Sequence, residues 1–310
     1  MDRGPLRHLL TIDDLDAASM GEMLDLAEGF GEVLERDVPK VPTLRGKTIA
    51  LLFYENSTRT RLSFDRAAKA LSADVLTFTP GGSSVSKGES LKDTALTLKA
   101  MGPHLMVVRH GATGAPWRVA EWTGLPVVNA GDGAHQHPTQ ALLDVMTVRQ
   151  RFGTVAGLRV DIVGDIRHSR VARSTAGALV RLGAHVTLVA PRTLLPVDLS
   201  GWEVETADAL DDVLESLDVV YLLRIQQERG GGDDFPSIAE YVGRFGLTRD
   251  RAARMRQEAV VLHPGPMNRG VEIDPAVADG PRSLVTDQVT NGIAIRMAVL
   301  FRLLAAEGSK

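Results

Sequence analysis

Hydroxyls and guanidinium groups gather in the run Ser57-Thr58-Arg59-Thr60-Arg61, a combination that can hold a phosphate. The stretch Thr48 to Phe53 before it is apolar and short, as a buried strand would be. After it, Leu62, Ala67, Ala70 and Leu71 recur at helical spacing, with Asp65, Arg66 and Lys69 elsewhere. The run therefore sits where a strand ends and a helix begins, with Ser57 or Thr58 as N-cap. Arg59 and Arg61 then occupy the first helical turn, where the helix dipole is positive and cations are disfavoured. An anion resolves that conflict, because free backbone N–H groups, two hydroxyls and a guanidinium together suit a phosphate. The plainer alternative is an ordinary helix start with solvated arginines.

Open parallel sheets bind ligands outside the carboxyl ends of their strands, so the residues after each predicted strand matter most. Val75–Phe78 leads into a Gly- and Ser-rich loop, Gly81 to Glu89, that carries Lys87. Leu105–Arg109 ends in Arg109-His110, and Pro126–Asn129 runs on to His135, His137 and Gln140. In the second half, Leu158–Val163 is followed by Gly164-Asp165-Ile166-Arg167-His168-Ser169-Arg170, and His185–Val189 by Ala190-Pro191-Arg192. Asp218–Leu223 is followed by Arg224-Ile225-Gln226, and Ala259–Leu262 by His263-Pro264-Gly265-Pro266. Cations, imidazoles, hydroxyls and amides recur at these ends while acids are few, which favours a polyanionic ligand. Each residue also has a plainer reading. His137 before Pro138 could be a helix start satisfied by backbone, Lys87 a solvated loop residue, and Arg109 a surface charge. Arg170 and Arg224 could form structural ion pairs with Asp165 and Glu228. His135 and His137 suggest a metal, but nothing at suitable spacing completes a site, so no metal is expected.

Strand and helix alternate in both halves, which predicts an α/β protein of two domains, each a parallel sheet flanked by helices. Predicted helices include one opening at Thr11 or Asp13 and running through Ala27, and others over Ser90–Met101, Pro138–Phe152 and Ser169–Leu182. A last helix, Asn291 to Ala306, is predicted to pack back on the first domain. The expected domains are residues 1–152, completed by about 291–310, and residues 153–290, with the boundary near Gly153. The length of 310 residues suits two domains, and 44% hydrophobic with 24% charged residues is a globular composition. The net charge of −4 predicts no nucleic-acid or anionic-membrane partner. No apolar run approaches the roughly 20 residues of a membrane span, no signal peptide is visible, and the expected location is cytoplasmic. The absence of cysteine excludes thiolate ligands and thiol nucleophiles. Gly230 to Asp234 reads as a mobile loop.

Two nucleotide-binding readings fail on the residues. The turn after Leu158–Val163 is Gly-Asp-Ile-Arg-His-Ser, not the Gly-x-Gly-x-x-Gly of dinucleotide enzymes, and no acid for a ribose follows the next strand. A Gly-x-x-x-x-Gly-Lys-Ser/Thr loop is also missing. A small phosphate ligand is left.

Phe-Tyr-Glu-Asn-Ser-Thr-Arg-Thr-Arg at 53–61, His137-Pro138-Thr139-Gln140 and His263-Pro264-Gly265-Pro266, in this order and at these separations, resemble the aspartate/ornithine carbamoyltransferase family over essentially the whole chain. The loop with Lys87, the run Gly131-Asp132-Gly133 and Arg224 to Arg229 resemble the branch that acts on aspartate, and the His-Cys-Leu-Pro element of the ornithine branch is absent. Gly265 departs from the leucine of well-known aspartate enzymes, a change that leaves a backbone carbonyl in place.

The resemblance implies carbamoyl transfer from carbamoyl phosphate to L-aspartate in pyrimidine synthesis, without a cofactor. It implies that Ser57, Thr58, Arg59 and Thr60 hold the phosphate, and that Thr60, Arg109 and His137 surround the carbonyl oxygen. Gln140 and the carbonyls of Gly265 and Pro266 would receive the carbamoyl NH2. Arg170 and Arg224 would pair with the aspartate carboxylates, with Gln226 nearby, and Lys87 would bridge the two substrates. It further implies a homotrimer in which the Lys87 loop reaches the neighbouring subunit's site, and domains that close over aspartate. A higher assembly with a regulatory chain or a dihydroorotase is compatible with it. The alternatives are an ornithine-type carbamoyltransferase and a non-catalytic homologue serving as an assembly partner.

Overall fold

A computed structural model describes residues 6–79, 88–225 and 237–305 of the chain, and these form two compact units. One unit is the chain up to Leu142 together with the chain from Thr290 onward; the other is Leu143–Val289.

The first unit is built on strands β1 (Thr48–Phe53), β2 (Asp74–Phe78), β3 (Leu105–His110) and β4 (Val127–Asp132), all parallel in the order β2-β1-β3-β4. Its helices are α1 (Ala17–Leu34), α2 (Thr58–Ala70), α3 (Leu91–Ala100), α4 (Ala115–Thr123) and the start of α5 (Pro138–Phe152). Ile49 to Phe53 are all buried, because helices cover both faces of the sheet and the strand can be apolar throughout rather than alternating. On α2 the buried residues Thr60, Phe64, Ala67 and Ala68 recur every three to four positions.

The first helix does not open at Thr11 or Asp13. Thr11 caps only a single tight turn, Ile12–Asp14, and the Asp14 carboxylate folds back to accept the N–H groups of Leu10 and Thr11. Leu15 is extended, and α1 restarts from a new N-cap, Asp16, whose carboxylate accepts the Ser19 N–H at 2.8 Å.

The C-terminal helix, α10 (Val285–Ala305), begins earlier than its apolar pattern suggested. Its last turns lie against the first unit's other helices. Phe301 meets Phe30 of α1 edge-on at 5.8 Å, Arg302 pairs with Glu22 at 2.8 Å, and Arg296 donates to Ser63 of α2 at 2.9 Å while lying over the Phe64 ring. Among the described helices α10 alone is long and apolar enough to cross a bilayer, with a mean hydropathy of 1.2. Ile295, Met297, Ala298, Val299 and Leu300 are buried, as in the core helix of a globular unit.

The second unit contains β5 (Arg159–Val163), β6 (His185–Val189), β7 (Glu205–Ala207), β8 (Val219–Leu222) and β9 (Val260–Leu262), parallel in the order β7-β6-β5-β8-β9. Among the described residues its helices include the rest of α5, α6 (Arg170–Arg181), α7 (Ile238–Phe245), α8 (Arg249–Arg254) and α9 (Pro275–Ala278). Val163, Val189, Leu222, Tyr241, Phe245 and Ile273 anchor its core. The edge strand β7 has only three residues and two of them are polar, too short for a periodicity to announce it.

Candidate active site

In the first unit β1, β3 and β4 are successive neighbours, so their carboxyl ends lie along one edge. Phe53 is paired with Arg109, and His110 with Asp132. The Ser57-Thr58-Arg59-Thr60 run and the His137 segment follow the ends of β1 and β4, and Arg109 is the last but one residue of β3.

Ser57 stands at the N-cap of α2 in extended conformation, and its hydroxyl makes no capping bond. No acid lies in the first turn of α2; Thr58 and Arg59 are exposed, and Thr60 is buried. The helix start thus presents its N–H groups, hydroxyls and a guanidinium with no acid in its own first turn, as an anion site requires.

Arg109 is not a free surface charge, since only 12% of its side chain is exposed. Its Nη1 donates to the Ala130 carbonyl at 3.0 Å, and its Nη2 lies 3.4 Å from the Glu55 carboxylate. The Arg109 carbonyl accepts the Tyr54 N–H at 2.9 Å, which ties the chain beyond β1 to the end of β3. Tyr54 donates its hydroxyl to Thr94 at 2.9 Å and packs its ring against Phe78 and His110.

Between β4 and α5 the chain is built around Asp132. Its buried carboxylate accepts from the Gly114 N–H at 2.8 Å, the Asn129 amide at 2.8 Å and the Gln136 N–H at 3.1 Å, and His135 Nδ1 lies 3.3 Å away. Burial works against its charge, yet hydrogen bonds from His135, Asn129 and Gly114 and the adjacent His135 ring hold it below the ordinary carboxylate range. Gly133 has a φ of +50°, and a Cβ there would collide with Thr113, so this turn needs glycine. The His137 carbonyl accepts the Gln140 N–H at 2.9 Å and the Ala141 N–H at 3.2 Å, with Pro138 as the first residue of α5. His137 is therefore a helix start, as its plainer reading had it, and it is also buried, five residues beyond the end of β4. Gln140 is buried one turn further on. His135 faces Asp132 and packs on Trp117. Among the described residues no three His, Asp or Glu side chains are grouped to hold a metal.

In the second unit β5 and β8 are adjacent, with Val163 opposite Leu222, and their ends carry the two arginines. Arg170 is buried and opens α6, whose N-cap Ser169 accepts the Ala172 N–H at 3.1 Å. Arg224 is half-buried two residues beyond β8. Gly164 has a φ of +128°, and a Cβ there would stand 2.8 Å from the Leu223 carbonyl, so β5 and β8 leave the sheet in close contact. Asp165 accepts the His168 N–H at 3.1 Å, with the His168 ring at 3.0 Å. Next to β8, β9 leads into His263-Pro264-Gly265-Pro266, with Gly265 half-buried at a φ of +61° and Pro266 exposed. Lys87, Gln226, Glu228 and the Gly230–Asp234 loop lie outside the described residues.

Sequence reasoning overlooked the acids that hold these groups. Glu55 beside Arg109 and Asp132 beneath the His135–His137 turn were both legible as acids in a basic setting, but nothing local names their partners.

Residues 7–150 match the family description "Aspartate/ornithine carbamoyltransferase, carbamoyl-P binding domain", and residues 156–303 match "Aspartate/ornithine carbamoyltransferase, Asp/Orn binding domain". The aspartate carbamoyltransferase catalytic subunit of Thermobifida fusca is 58% identical over 299 residues, 96% of each chain. That of a Parafrankia species is 56% identical over 305 residues, 98% of this chain and 99% of the relative. Aspartate transcarbamoylase from Trypanosoma cruzi, crystallised with N-(phosphonacetyl)-L-aspartic acid, matches with a TM-score of 0.90 at 30% identity, over 97% of this chain and 96% of that one. The catalytic subunit of the M. jannaschii enzyme matches with a TM-score of 0.85 at 36% identity, over 98% and 100%.

Proposed function

This chain belongs to the aspartate/ornithine carbamoyltransferase family, and we infer from that membership that it transfers the carbamoyl group of carbamoyl phosphate to the amine of L-aspartate. The products are N-carbamoyl-L-aspartate, for pyrimidine synthesis, and phosphate. What supports this reading is that the start of α2, with no acid in its first turn, the partly buried Arg109 and the buried His137 all lie at or just beyond the carboxyl ends of neighbouring strands of one sheet in the first unit.

In this reading Ser57, Thr58, Arg59 and Thr60 bind the phosphate. As the amine attacks, negative charge grows on the carbonyl oxygen, and Thr60, Arg109 and His137 stabilise it. Arg109 is already fixed by Ala130 and Glu55, so it need not reorganise when that charge appears. Gln140 and the Gly265 and Pro266 carbonyls take the carbamoyl NH2. Arg170 and Arg224 bind the aspartate carboxylates, with Gln226 and Lys87 completing the amino-acid side. The departing phosphate takes the amine proton. No covalent intermediate forms; positioning and electrostatics do the work.

The reading extends to a cytoplasmic homotrimer in which Lys87 serves a neighbouring subunit. Light scattering tests the trimer, and hybrids of Arg59→Ala with Lys87→Ala chains should recover activity that neither parent has.

Phosphate release from carbamoyl phosphate with L-aspartate is the direct test. Turnover with aspartate and none with ornithine is expected, since two arginines suit a dicarboxylate and repel a diamine. Turnover with ornithine alone, or none with either amine, would sink the assignment.

A further inference from the structure

The turn that follows β9 is held from inside by two buried ionisable side chains with no part in the mechanism above. His263 and Glu272 have 0% and 1% of their side chains exposed. The Gly265 N–H donates to His263 Nδ1 at 2.8 Å. That nitrogen must therefore offer a lone pair, so the ring's proton is on Nε2. Nε2 stands 3.2 Å from Glu272 Oε1 and donates to it. The same Glu272 oxygen accepts the Asn268 N–H. Below the turn, the His263 N–H donates to Gln288 at 3.0 Å, and Gln288 donates to the buried Asp144 at 2.7 Å.

These bonds bracket a stretch that cannot fix itself. The Gly265–Pro266 peptide has no N–H to anchor. Among the described residues the Met267 N–H makes no hydrogen bond, and the Gly265 and Pro266 carbonyls accept none. Gly265 has a φ of +61°, in the region where glycine is least restrained. The direction of both carbonyls is therefore set by the flanking bonds, Gly265 to His263 and Asn268 to Glu272. Burying a carboxylate this deeply is costly, and its one engaged oxygen, Oε1, takes the bonds that close the turn at both ends.

We propose that Glu272, acting through His263 and the Asn268 N–H, is a positioning residue that aims the Gly265 and Pro266 carbonyls at the carbamoyl NH2. This rests on the proposed function, which makes those carbonyls its acceptors. Inorganic phosphate fills the phosphate site but has no NH2, so it separates aiming from general damage.

The test measures carbamoyl phosphate binding and phosphate inhibition in the full-length chain, beside thermal melting. Glu272→Ala is expected to weaken carbamoyl phosphate about tenfold, one lost charge-assisted hydrogen bond, with phosphate inhibition unchanged. Glu272→Gln keeps an acceptor oxygen at the same reach and should stay within about threefold of the parent. If Glu272→Ala does not melt cooperatively, Glu272→Asp replaces it: its acceptor is withdrawn by one carbon, and the same selective loss is expected. Equal weakening of both ligands, unchanged carbamoyl phosphate binding, or Gln as damaging as Asp would overturn the proposal. Parent protein without carbamoyl transfer would instead overturn the function on which it rests.

Discussion

Asp161 lies in the middle of β5 with 2% of its surface exposed, on the sheet row that continues through Thr187 of β6 to Glu205 of β7. Burial pushes its carboxyl from the ordinary 3.8 up to about 7, against a hydrogen bond from Thr187 and the nearby Arg159; Asp218 and Glu205 push the same way as burial. Between those two values the unfolded chain releases this proton and the folded chain keeps it. The folded state then binds more protons, so stability falls as pH rises. Below pH 3.8 both states are protonated and the cost vanishes; above pH 7 both are ionised and the cost is constant. At about 1.36 kcal/mol per pH unit, the interval amounts to about 4 kcal/mol above neutrality. Asp161→Asn, nearly isosteric and never charged, removes this penalty. Urea unfolding of both proteins should give curves that coincide near pH 4 and separate with rising pH, the variant being more stable by about 2–4 kcal/mol at pH 8 after allowing for relaxation around the charge. A constant difference at all pH values, or a variant less stable at pH 8 than at pH 4 relative to the parent, would refute the burial argument.

Arg59→Ala should lower kcat/KM for carbamoyl phosphate by about 10²–10³ in the phosphate-release assay, while the exposed position of Arg59 keeps the melting curve near the parent's. Arg224→Ala should raise the KM for aspartate and leave inhibition by inorganic phosphate unchanged, because the proposed function places it on the amino-acid side; steady-state kinetics with each substrate varied would decide. Asp144 accepts from Tyr221 at 2.7 Å, Thr175 at 3.0 Å and Gln288 at 2.7 Å in the buried interior of the second unit. Asp144→Ala leaves those donors unsatisfied and should cost about 3–5 kcal/mol in denaturant unfolding, whereas Tyr221→Phe, which removes one donor, should cost about 1 kcal/mol.

What could be read from the sequence depended on how local each signal was. The strand Thr48–Phe53 and helix Pro138–Phe152 have the same ends in the structure, because an apolar run closed by a polar turn and a Pro at the first helical position are both written in adjacent residues. The helix Ala115–Thr123 had its signals too, Gly114 and Gly124 at positive φ around Pro116, but its aromatic and charged residues hid the apolar stripe. The first turns of α10 were missed for a different reason. Thr286, Asp287 and Gln288 look like loop residues, yet Gln288 is buried because it joins His263 to Asp144 across long stretches of sequence. Buried polar networks reverse the inference from polarity to exposure, and only their partners reveal them.

The same distinction divides the site. The half proposed to bind the anion is legible because a helix start concentrates its donors in four consecutive residues, and the chemistry of a phosphate needs no more than that. The groups that hold that half in place are acids, Glu55 against Arg109 and Asp132 under the His135–His137 turn. Read alone, each acid argues against an anion site. In the fold each is already engaged by cationic or N–H groups, so little of its charge is left to repel a ligand. A rigid cation bound to its own carboxylate is weaker as a bulk attractor than a bare one, but it keeps its direction when charge develops beside it. That favours stabilising a transient oxyanion over merely binding a dianion tightly, the difference on which catalysis depends.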